Sequence, residues 1–402
     1  MNNNKISSFF LNDTYRKLIN NGRTYASYTK EELDIIFNDI ELKGVETILD
    51  PMSGYGGLTN RCKKESIPTV CLELNQPSYY WQTLNIPSNA ALYITLIEYI
   101  LDNFKYLPRT NKFAVASDEY FTSEGIDLLR KLFNKVTEWA IELGINDHEK
   151  FVTALLTPFV FRFSTASNGD VTHVKKGGIA VFKGWQEDFK DYLNNLLTNC
   201  IVPNLKYNSN HKIILGDARF YKFEQKFDAV ITSPPFPNYR DYYKMFAPEN
   251  YFLNEILDLK STNNIIGSNI VSGKSAGEIT SSIANNFLNK LSAYKGSKKA
   301  EGDIRRYYLP YFKLYFSDLE LVMKNIIEHL NQKCVCYFVV VNNATRNLIV
   351  PVAEVIEEFF ESRDFSTEFI LNSDVFHVGT KNPHAKGIKA KHTKYIVKAW
   401  RK

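Results

Sequence analysis

Residues 45–73 are predicted to form a strand, a glycine-rich turn, a helix and a second strand in direct succession. The apolar run 45–50 predicts a buried strand, 57–65 suits a short helix, and 69–72 predicts the second strand. A strand–helix–strand unit has about this length. The pattern therefore favours an α/β sheet.

The same alternation resumes after residue 210. The predicted strands are 212–215, 228–232, 335–341, 366–373 and 394–400, and the predicted helices are 310–330 and 351–363. Alternating strands and helices predict a sheet with helices on both faces. The last two strands are expected to form an antiparallel pair at its edge, which is compatible with a mixed sheet.

Two stretches interrupt this pattern. Residues 77–210 carry helical apolar stripes and a polar loop, Ser164–Trp185, and predict a mostly helical insertion. Residues 256–305 form a second irregular stretch. The abundance of Ser, Thr, Asn and Gly in 261–282 predicts a flexible loop there.

The composition argues against several classes of protein. With 402 residues, 44% of them hydrophobic, the chain can bury a sizeable core. No apolar run approaches the ~20 residues that span a bilayer, and the N-terminus lacks the features of a secretory signal. A cytoplasmic location without membrane attachment is expected. The five cysteines are scattered without a Cys-x2-Cys pair, so neither a disulfide framework nor a metal site is expected.

The net charge of +5 is too mild to indicate nucleic acid by itself. Lysines are nevertheless clustered in two places. One cluster comprises Lys290, Lys295, Lys298 and Lys299, and the other comprises Lys381, Lys386, Lys389, Lys391 and Lys394. Such clusters suit either a solvated surface or a contact with nucleic acid.

The turn that follows the first strand is a candidate binding site. Its glycines let the backbone approach a ligand closely, and the helix beyond it begins with free N–H groups. Asp50 would repel a phosphate, but it would pair well with the amino group of an amino-acid moiety, which favours S-adenosylmethionine over a dinucleotide. The candidate cofactor-binding residues of this turn are Asp50, Pro51, Ser53, Gly54, Gly56 and Gly57.

Acidic residues also end two other predicted strands. Glu73 ends the second strand, where a carboxylate can accept hydrogen bonds from both ribose hydroxyls of a nucleoside cofactor. Asp217 follows strand 212–215 and can accept one from an adenine amino group, although Gly-Asp is also an ordinary turn. Ala218 and Tyr28 are further candidates for contact with the cofactor.

The segment Ser233-Pro234-Pro235-Phe236 directly follows strand 228–232. Two prolines stiffen the chain at the carboxyl end of the strand, where open α/β sheets place their ligands. The Ser233 side chain and the Pro234 carbonyl can accept hydrogen bonds from an exocyclic amino group, which would localise its lone pair toward a sulfonium methyl. Phe236 can stack on a base that has been rotated out of the duplex. These four residues are the catalytic candidates.

These motifs resemble those of the amino-group DNA methyltransferases. Asp50–Gly57 is similar to their cofactor motif Asp-Pro-Phe-x-Gly-x-Gly-Thr, from which Met52 and Gly57 depart, and Glu73-Leu74-Asn75 is similar to their acidic strand end. Gly216-Asp217-Ala218-Arg219 matches an element found shortly before their catalytic motif. Ser233–Phe236 resembles the Ser-Pro-Pro-Tyr form of that motif, with Phe for Tyr.

The resemblance implies a Rossmann-like methyltransferase sheet of seven strands with S-adenosylmethionine as cofactor. It covers residues 1–76 and 211–402, which would form the catalytic domain, with 256–305 as a loop inside it. The insertion 77–210 would be a candidate target-recognition region, or alternatively a helical scaffold or a dimer interface. Lys175 and Lys176 in its polar loop, and Arg240 after the catalytic motif, are the candidate DNA contacts.

The implied reaction is methylation of cytosine N4 in double-stranded DNA, because the Ser form of the motif is commonest in cytosine-N4 enzymes. Adenine N6 is the alternative target. Such enzymes usually protect host DNA beside a restriction endonuclease, which makes a cognate nuclease an implied partner. An RNA methyltransferase and a non-catalytic subunit with this fold stay open, although the intact Asp50, Glu73 and Ser233 argue against the second.

Overall fold

The computed structural model describes residues 28–41, 44–109, 113–115, 120–164, 166–167, 170–174, 179–181, 184–207, 210–237, 243–259, 262, 264–268, 270–376 and 391–401. The chain separates into two compact units. The first takes its residues from 1–29, 54–215 and 242–262, and the second from 30–53, 216–241 and 263–402. These bounds differ from the division at residues 76 and 210 that the sequence suggests.

Seven strands form the main sheet. In chain order they are β1 Ile48–Asp50, β2 Thr69–Glu73, β3 His211–Leu215, β4 Phe227–Thr232, β5 Leu330–Asn342, β6 Ser366–Phe376 and β7 Lys391–Arg401. Their order across the sheet is β6-β7-β5-β4-β1-β2-β3. β5 pairs in parallel with β4, β4 with β1, and β2 with β3, whereas β7 is antiparallel to β5 and β6. The protein is therefore a mixed α/β protein whose mostly parallel sheet is compatible with a Rossmann-like fold.

The strand order follows the doubly wound pattern over five strands. From the β3 edge inward, the strand order is 3-2-1-4-5, as in dinucleotide-binding sheets. The direction in which successive strands are added to the sheet reverses between β1 and β4. Ligands of such sheets bind beyond the carboxyl ends of the strands at this switch point. All seven strands predicted from the sequence are present, and the closing antiparallel pair is confirmed.

Helices predominate in the described part of the first unit. They are Gly57–Lys64, Gln76–Thr83, Ala90–Asp102, Ser123–Glu142, His148–Val160, Trp185–Leu196 and Ala247–Tyr251. The longest of them begins where the Thr122 hydroxyl accepts a hydrogen bond from Gly125 N at 3.1 Å. It buries Leu132 and Val136 on one face at helical spacing. Two short antiparallel pairs also belong to this unit, Phe113–Val115 with Ile179–Val181 and Ala166–Ser167 with Asp170–Val174.

The second unit contains helices Lys30–Asp39, Ser282–Ser292, Lys298–Asp303, Leu309–Glu328 and Val352–Glu361. A wider helical turn, Ile304–Tyr308, joins two of them, so residues 298–328 form one continuous helical stretch. A two-stranded hairpin, Ala344–Thr345 with Leu348–Ile349, follows β5. The hairpin therefore emerges at the carboxyl edge of the main sheet.

The stretch 256–305 contains two helices that its composition did not lead us to expect, Ser282–Ser292 and Lys298–Asp303. Their starts are capped by Ser281 and Ser297, whose hydroxyls accept hydrogen bonds from the backbone three residues on, at 3.0 and 3.2 Å. The first helix also buries Phe287, Leu288 and Leu291. Serine is frequent in loops and is also a preferred cap, and here it acts as the cap.

Two carboxylates hold the chain at the start of helix Ser282–Ser292. Glu320, which is fully buried, accepts hydrogen bonds from Thr280 N at 2.9 Å and Ser281 N at 3.0 Å. Glu358 accepts one from Ser282 N at 3.0 Å and others from the hydroxyls of Ser281 and Ser282. These anions satisfy N–H groups that have no partner within the helix.

Candidate functional site

The carboxyl ends of β1 and β4 lie side by side in the second unit. The two strands pair in parallel with Leu49 opposite Val230. Asp50 ends β1, and Ser233 follows β4, so both residues lie at the same edge of the sheet. This edge is the switch point, where a doubly wound sheet binds its ligand.

The turn after β1 is compact. Asp50 is fully buried, and its Oδ1 accepts a hydrogen bond from Met52 N at 3.3 Å. Pro51 and Ser53 are buried as well. The turn therefore holds the carboxylate of Asp50 at the strand end, as the sequence pattern suggests.

Ser233 lies between two neighbouring strands at this edge. Its Oγ donates a hydrogen bond to the carbonyl of Val339 in β5 at 3.1 Å. Since a hydroxyl has one donor and two acceptor lone pairs, this bond leaves the oxygen of Ser233 as an acceptor. An acceptor is what an amino group on a substrate would need.

The residues after Ser233 are held from two sides. A Cβ added at Gly267 would lie 3.5 Å from Pro235 Cβ, and the carbonyl of Pro237 accepts a hydrogen bond from Asn343 Nδ2. Gly267 has φ +74°, a conformation that side chains other than glycine rarely adopt. Phe236 is 7% exposed, so stacking of a base on its ring stays a prediction.

Arg219 is a buried residue to which the sequence pattern assigned no function. Its side chain is 3% exposed and lies between Asp217, at 2.6 Å, and Asp318, at 2.9 Å. Its Nη2 also donates to the carbonyl of Asn264 at 2.7 Å. Burial opposes the charge, but the hydrogen bonds and negative charges of both carboxylates outweigh it and raise the pKa of Arg219.

The same contacts engage the carboxylates of Asp318 and Asp217 in different ways. Burial raises the pKa of Asp318, and the charge of Arg219 opposes this rise. Asp217 uses both oxygens on Arg219, with Oδ1 accepting from Nε at 2.9 Å and from the backbone N at 3.0 Å. Asp217 therefore has a fixed orientation, and its Oδ2, which accepts mainly from Nη2 at 2.6 Å, keeps the lone pair that is left for a ligand.

The glycine turn of the first unit is held by Glu73. Gly54 N donates to Glu73 Oε2 at 2.7 Å, and Asn75 N donates to Oε1 at 2.8 Å. Gln82 Nε2 donates to the carbonyl of Gly54 at 2.8 Å. Gly54 and Gly56 have φ values of +54° and +75°, in the left-handed region that favours glycine. Glu73 thus shapes the turn, in addition to the contact with a cofactor that the sequence suggests.

Asn75 is a polar residue that the sequence did not single out for its side chain. It is 2% exposed, and neither its Nδ2 nor its Oδ1 has a hydrogen-bond partner in the described part of the chain. The hydroxyl of Ser78, one helical turn further along the chain, is also buried and has no hydrogen-bond partner in the described part of the chain. A buried unsatisfied amide costs free energy, about 1–3 kcal/mol, so these groups suit a ligand that can bond to them.

The other predicted site residues fall into two groups. Tyr28 is 2% exposed in the first unit, and Ala218 is 6% exposed in the second, where its carbonyl accepts a hydrogen bond from Asn325 Nδ2 at 2.9 Å. Gly57 begins the helix that follows the glycine turn. Lys175, Lys176 and Arg240 lie outside the described residues.

No three His, Cys, Asp or Glu side chains among the described residues are grouped so that they could hold a metal ion. The described helices include none that is both long enough and apolar enough to cross a bilayer.

Comparison of the sequence with protein-family models and with curated proteins finds no match.

Proposed function

We propose that the protein is an S-adenosylmethionine-dependent methyltransferase that acts on an exocyclic amino group of a DNA base, cytosine N4 in preference to adenine N6. The observation that carries the proposal is the position of Ser233-Pro234-Pro235-Phe236, which follows β4 at the switch point beside Asp50. The resemblance of the motifs to those of amino-group DNA methyltransferases supports it.

The chemistry of the residues fits the cofactor. S-adenosylmethionine carries an ammonium group, which Asp50 can bind, and an adenine amino group, which a remaining lone pair of Asp217 can bind. Glu73 is proposed to accept hydrogen bonds from the ribose hydroxyls of the cofactor, as the sequence pattern suggests. The unsatisfied amide of Asn75 offers a donor and an acceptor that the described protein groups leave unused. Bound S-adenosylmethionine supplies an electrophilic methyl group on sulfur.

Ser233 and Pro234 supply the acceptors for the substrate. The proton of the Ser233 hydroxyl is directed to the Val339 carbonyl, so the oxygen faces an incoming amino group with lone pairs only. A hydrogen bond from that amino group to Ser233, with a second to the Pro234 carbonyl, would draw its nitrogen out of conjugation with the ring. As the nitrogen takes the methyl group from sulfur, it gains positive charge and its N–H groups become stronger donors, so these bonds strengthen toward the transition state and lower the barrier to methyl transfer. The neutral thioether S-adenosylhomocysteine leaves, and the surplus proton of the methylated nitrogen passes to water.

The test is to incubate the full chain with methyl-labelled S-adenosylmethionine and duplex DNA of mixed sequence, and to identify the modified nucleoside by mass spectrometry. N4-methylcytosine is expected. N6-methyladenine alone would change the target base and leave the rest of the proposal intact. RNA transcripts are incubated in the same way. If the transcripts became labelled and the duplex DNA did not, the protein would be an RNA methyltransferase. Failure to bind S-adenosylmethionine in calorimetry would overturn the proposal.

A further inference from the structure

Exposed basic side chains are concentrated around the start of the helical stretch 298–328. They are Lys295, Lys298, Lys299, Arg305 and Arg306, which we call the basic arm. The two acidic residues among them already have partners. Glu301 accepts a hydrogen bond from Gly296 N at 3.2 Å, and Asp303 pairs with Arg346 at 3.4 Å. The arm therefore presents a net positive charge to the solvent.

The arm is not explained by the stability of its own helix. Lys298 and Lys299 are the first two residues of the helix that Ser297 caps. The N-terminus of a helix carries partial positive charge, so cations there are unfavourable. Glu or Asp would suit these positions better.

The hairpin after β5 also places an arginine where the backbone is strained. Arg346 and Asn347 form its two-residue turn with φ values of +50° and +65°. Asn adopts this conformation readily, but for Arg it is strained. The Arg346 guanidinium lies 5.4 Å from the centre of the Tyr308 ring and pairs with Asp303. These contacts attach the hairpin to the arm.

Named contacts connect the arm and the hairpin to the catalytic motif. Tyr311, on the same helical stretch, donates a hydrogen bond to the carbonyl of Gly267 at 3.4 Å, and a Cβ added at Gly267 would lie 3.5 Å from Pro235 Cβ. At the base of the hairpin, Asn343 donates to the Pro237 carbonyl. From Tyr311 back to Lys298 the helix rises roughly 20 Å, which is the length of about six base pairs of duplex.

We propose that the basic arm and Arg346 bind the phosphodiester backbone of double-stranded DNA beside the base that Ser233 accepts. This inference rests on the proposed function and adds the surface that positions the duplex. The helix N-terminus disfavours the lysines at 298 and 299, and the turn conformation disfavours an arginine at 346, which Asp303 and Tyr308 offset only by their contacts with its guanidinium. A polyanion that reaches from the catalytic motif along the helix explains all three positions.

The test compares matched double variants in DNA binding over a salt series. Lys298→Ala/Lys299→Ala and Arg305→Ala/Arg306→Ala each remove two charges from the arm. Alanine is a good helix former, so folding is expected to persist. Each variant is expected to lower the slope of log affinity against log salt by about 0.9 per lost phosphate contact. The control is Lys226→Ala/Lys333→Ala, which removes two exposed charges at the opposite, amino-terminal ends of β4 and β5 and should leave the slope unchanged.

The outcomes separate this inference from the proposed function, because transfer to duplex DNA by the wild type is measured in parallel. If the wild type methylates duplex DNA and both arm variants show the wild-type slope of log affinity against log salt, the basic arm is not the DNA-binding surface. The proposed methyltransferase function would be unaffected by that result. An equal change in the control variant, or a change only in Lys175→Ala/Lys176→Ala, would also overturn the inference. If the wild type neither binds S-adenosylmethionine nor methylates DNA, the proposed function itself fails.

Discussion

Arg219 and Asp217 form a bidentate ion pair, with Nε 2.9 Å from Oδ1 and Nη2 2.6 Å from Oδ2. The same guanidinium donates to the carbonyl of Asn264, three residues before Gly267, where an added Cβ would lie 3.5 Å from Pro235 Cβ. One buried side chain therefore fixes both the carboxylate proposed to bind the cofactor and a segment that lies next to the proposed catalytic motif. Arg219 is a positioning residue in this arrangement.

Replacing Arg219 by Lys is expected to raise the KM for S-adenosylmethionine about tenfold and to lower kcat as well. Lys keeps the charge but cannot form the planar bidentate pair, so Asp217 and Asn264 lose their fixed geometry. Steady-state kinetics measure both constants. The control is Asp318→Asn, which weakens the other ion pair of Arg219 and leaves Asp217 and Asn264 unchanged. It should lower the melting temperature and leave the KM for S-adenosylmethionine unchanged. If Arg219→Lys also changed only the melting temperature, its role would be purely structural.

Asp50→Asn is expected to weaken the binding of S-adenosylmethionine about 10- to 100-fold. The amide keeps the shape of the side chain and an oxygen for Met52 N, but it removes the negative charge that would pair with the ammonium group. Hydrogen bonds to charged groups are worth about 1.5–3 kcal/mol, which corresponds to that range. Isothermal calorimetry gives the affinity, and thermal unfolding checks the fold. Unchanged affinity would remove Asp50 from the cofactor site.

The strands and the motif positions could be predicted from the sequence because they depend on short-range patterns. Apolar runs such as that of β4 must be buried, and a Pro-Pro pair must end a strand. The position of Ser233 and Asp50 at one edge follows from parallel pairing. The Ser-rich composition of 256–305 could not distinguish loop residues from helix caps, since both use the same side chain.

The contacts that complete the site depend on residues far apart in the chain. Asn264 and Gly267 come from a segment that composition marked only as a loop, and nothing local indicates that they contact Arg219 or Pro235. The Ser233–Val339 hydrogen bond likewise needs the neighbouring strand. Such pairs are set by tertiary packing.

His211 is expected to make the protein less stable in mild acid. Burial, with a smaller effect from the charge of Lys63, lowers the pKa of His211 to about 4. An unfolded histidine has a pKa of about 6.5, so between these values the unfolded chain binds a proton that the folded chain does not. Stability therefore falls as the pH decreases from about 6.5 to 4.

The variant His211→Asn isolates this effect. Asn does not titrate, and its side chain can still meet the Thr69 hydroxyl, which lies 2.8 Å from His211 Nδ1. Urea unfolding at about pH 7 and about pH 5 gives the loss of stability for each protein. Between these two pH values, the free energy of unfolding should fall more in the wild type than in the variant. Equal losses would contradict the lowered pKa.

Ser233→Ala is expected to slow methyl transfer about 100-fold in a single turnover while leaving the affinity for S-adenosylmethionine unchanged. The substitution removes the acceptor that the Val339 contact orients. An interaction that strengthens toward the transition state lowers the chemical step when it is lost. Rapid-quench measurement of the labelled product gives the rate, and calorimetry gives the affinity.

The neighbouring hydroxyl of Thr232 provides the control for this prediction. Its Oγ1 is buried and has no hydrogen-bond partner within the described ranges, so Thr232→Val removes a hydroxyl of similar position without removing a bond. Replacing an unsatisfied buried hydroxyl by a methyl group is neutral or stabilising. Thr232→Val should therefore keep the wild-type rate of methyl transfer. If Ser233→Ala retained that rate too, or if both variants were slowed alike, Ser233 would not be the group that accepts the hydrogen bond from the substrate amino group.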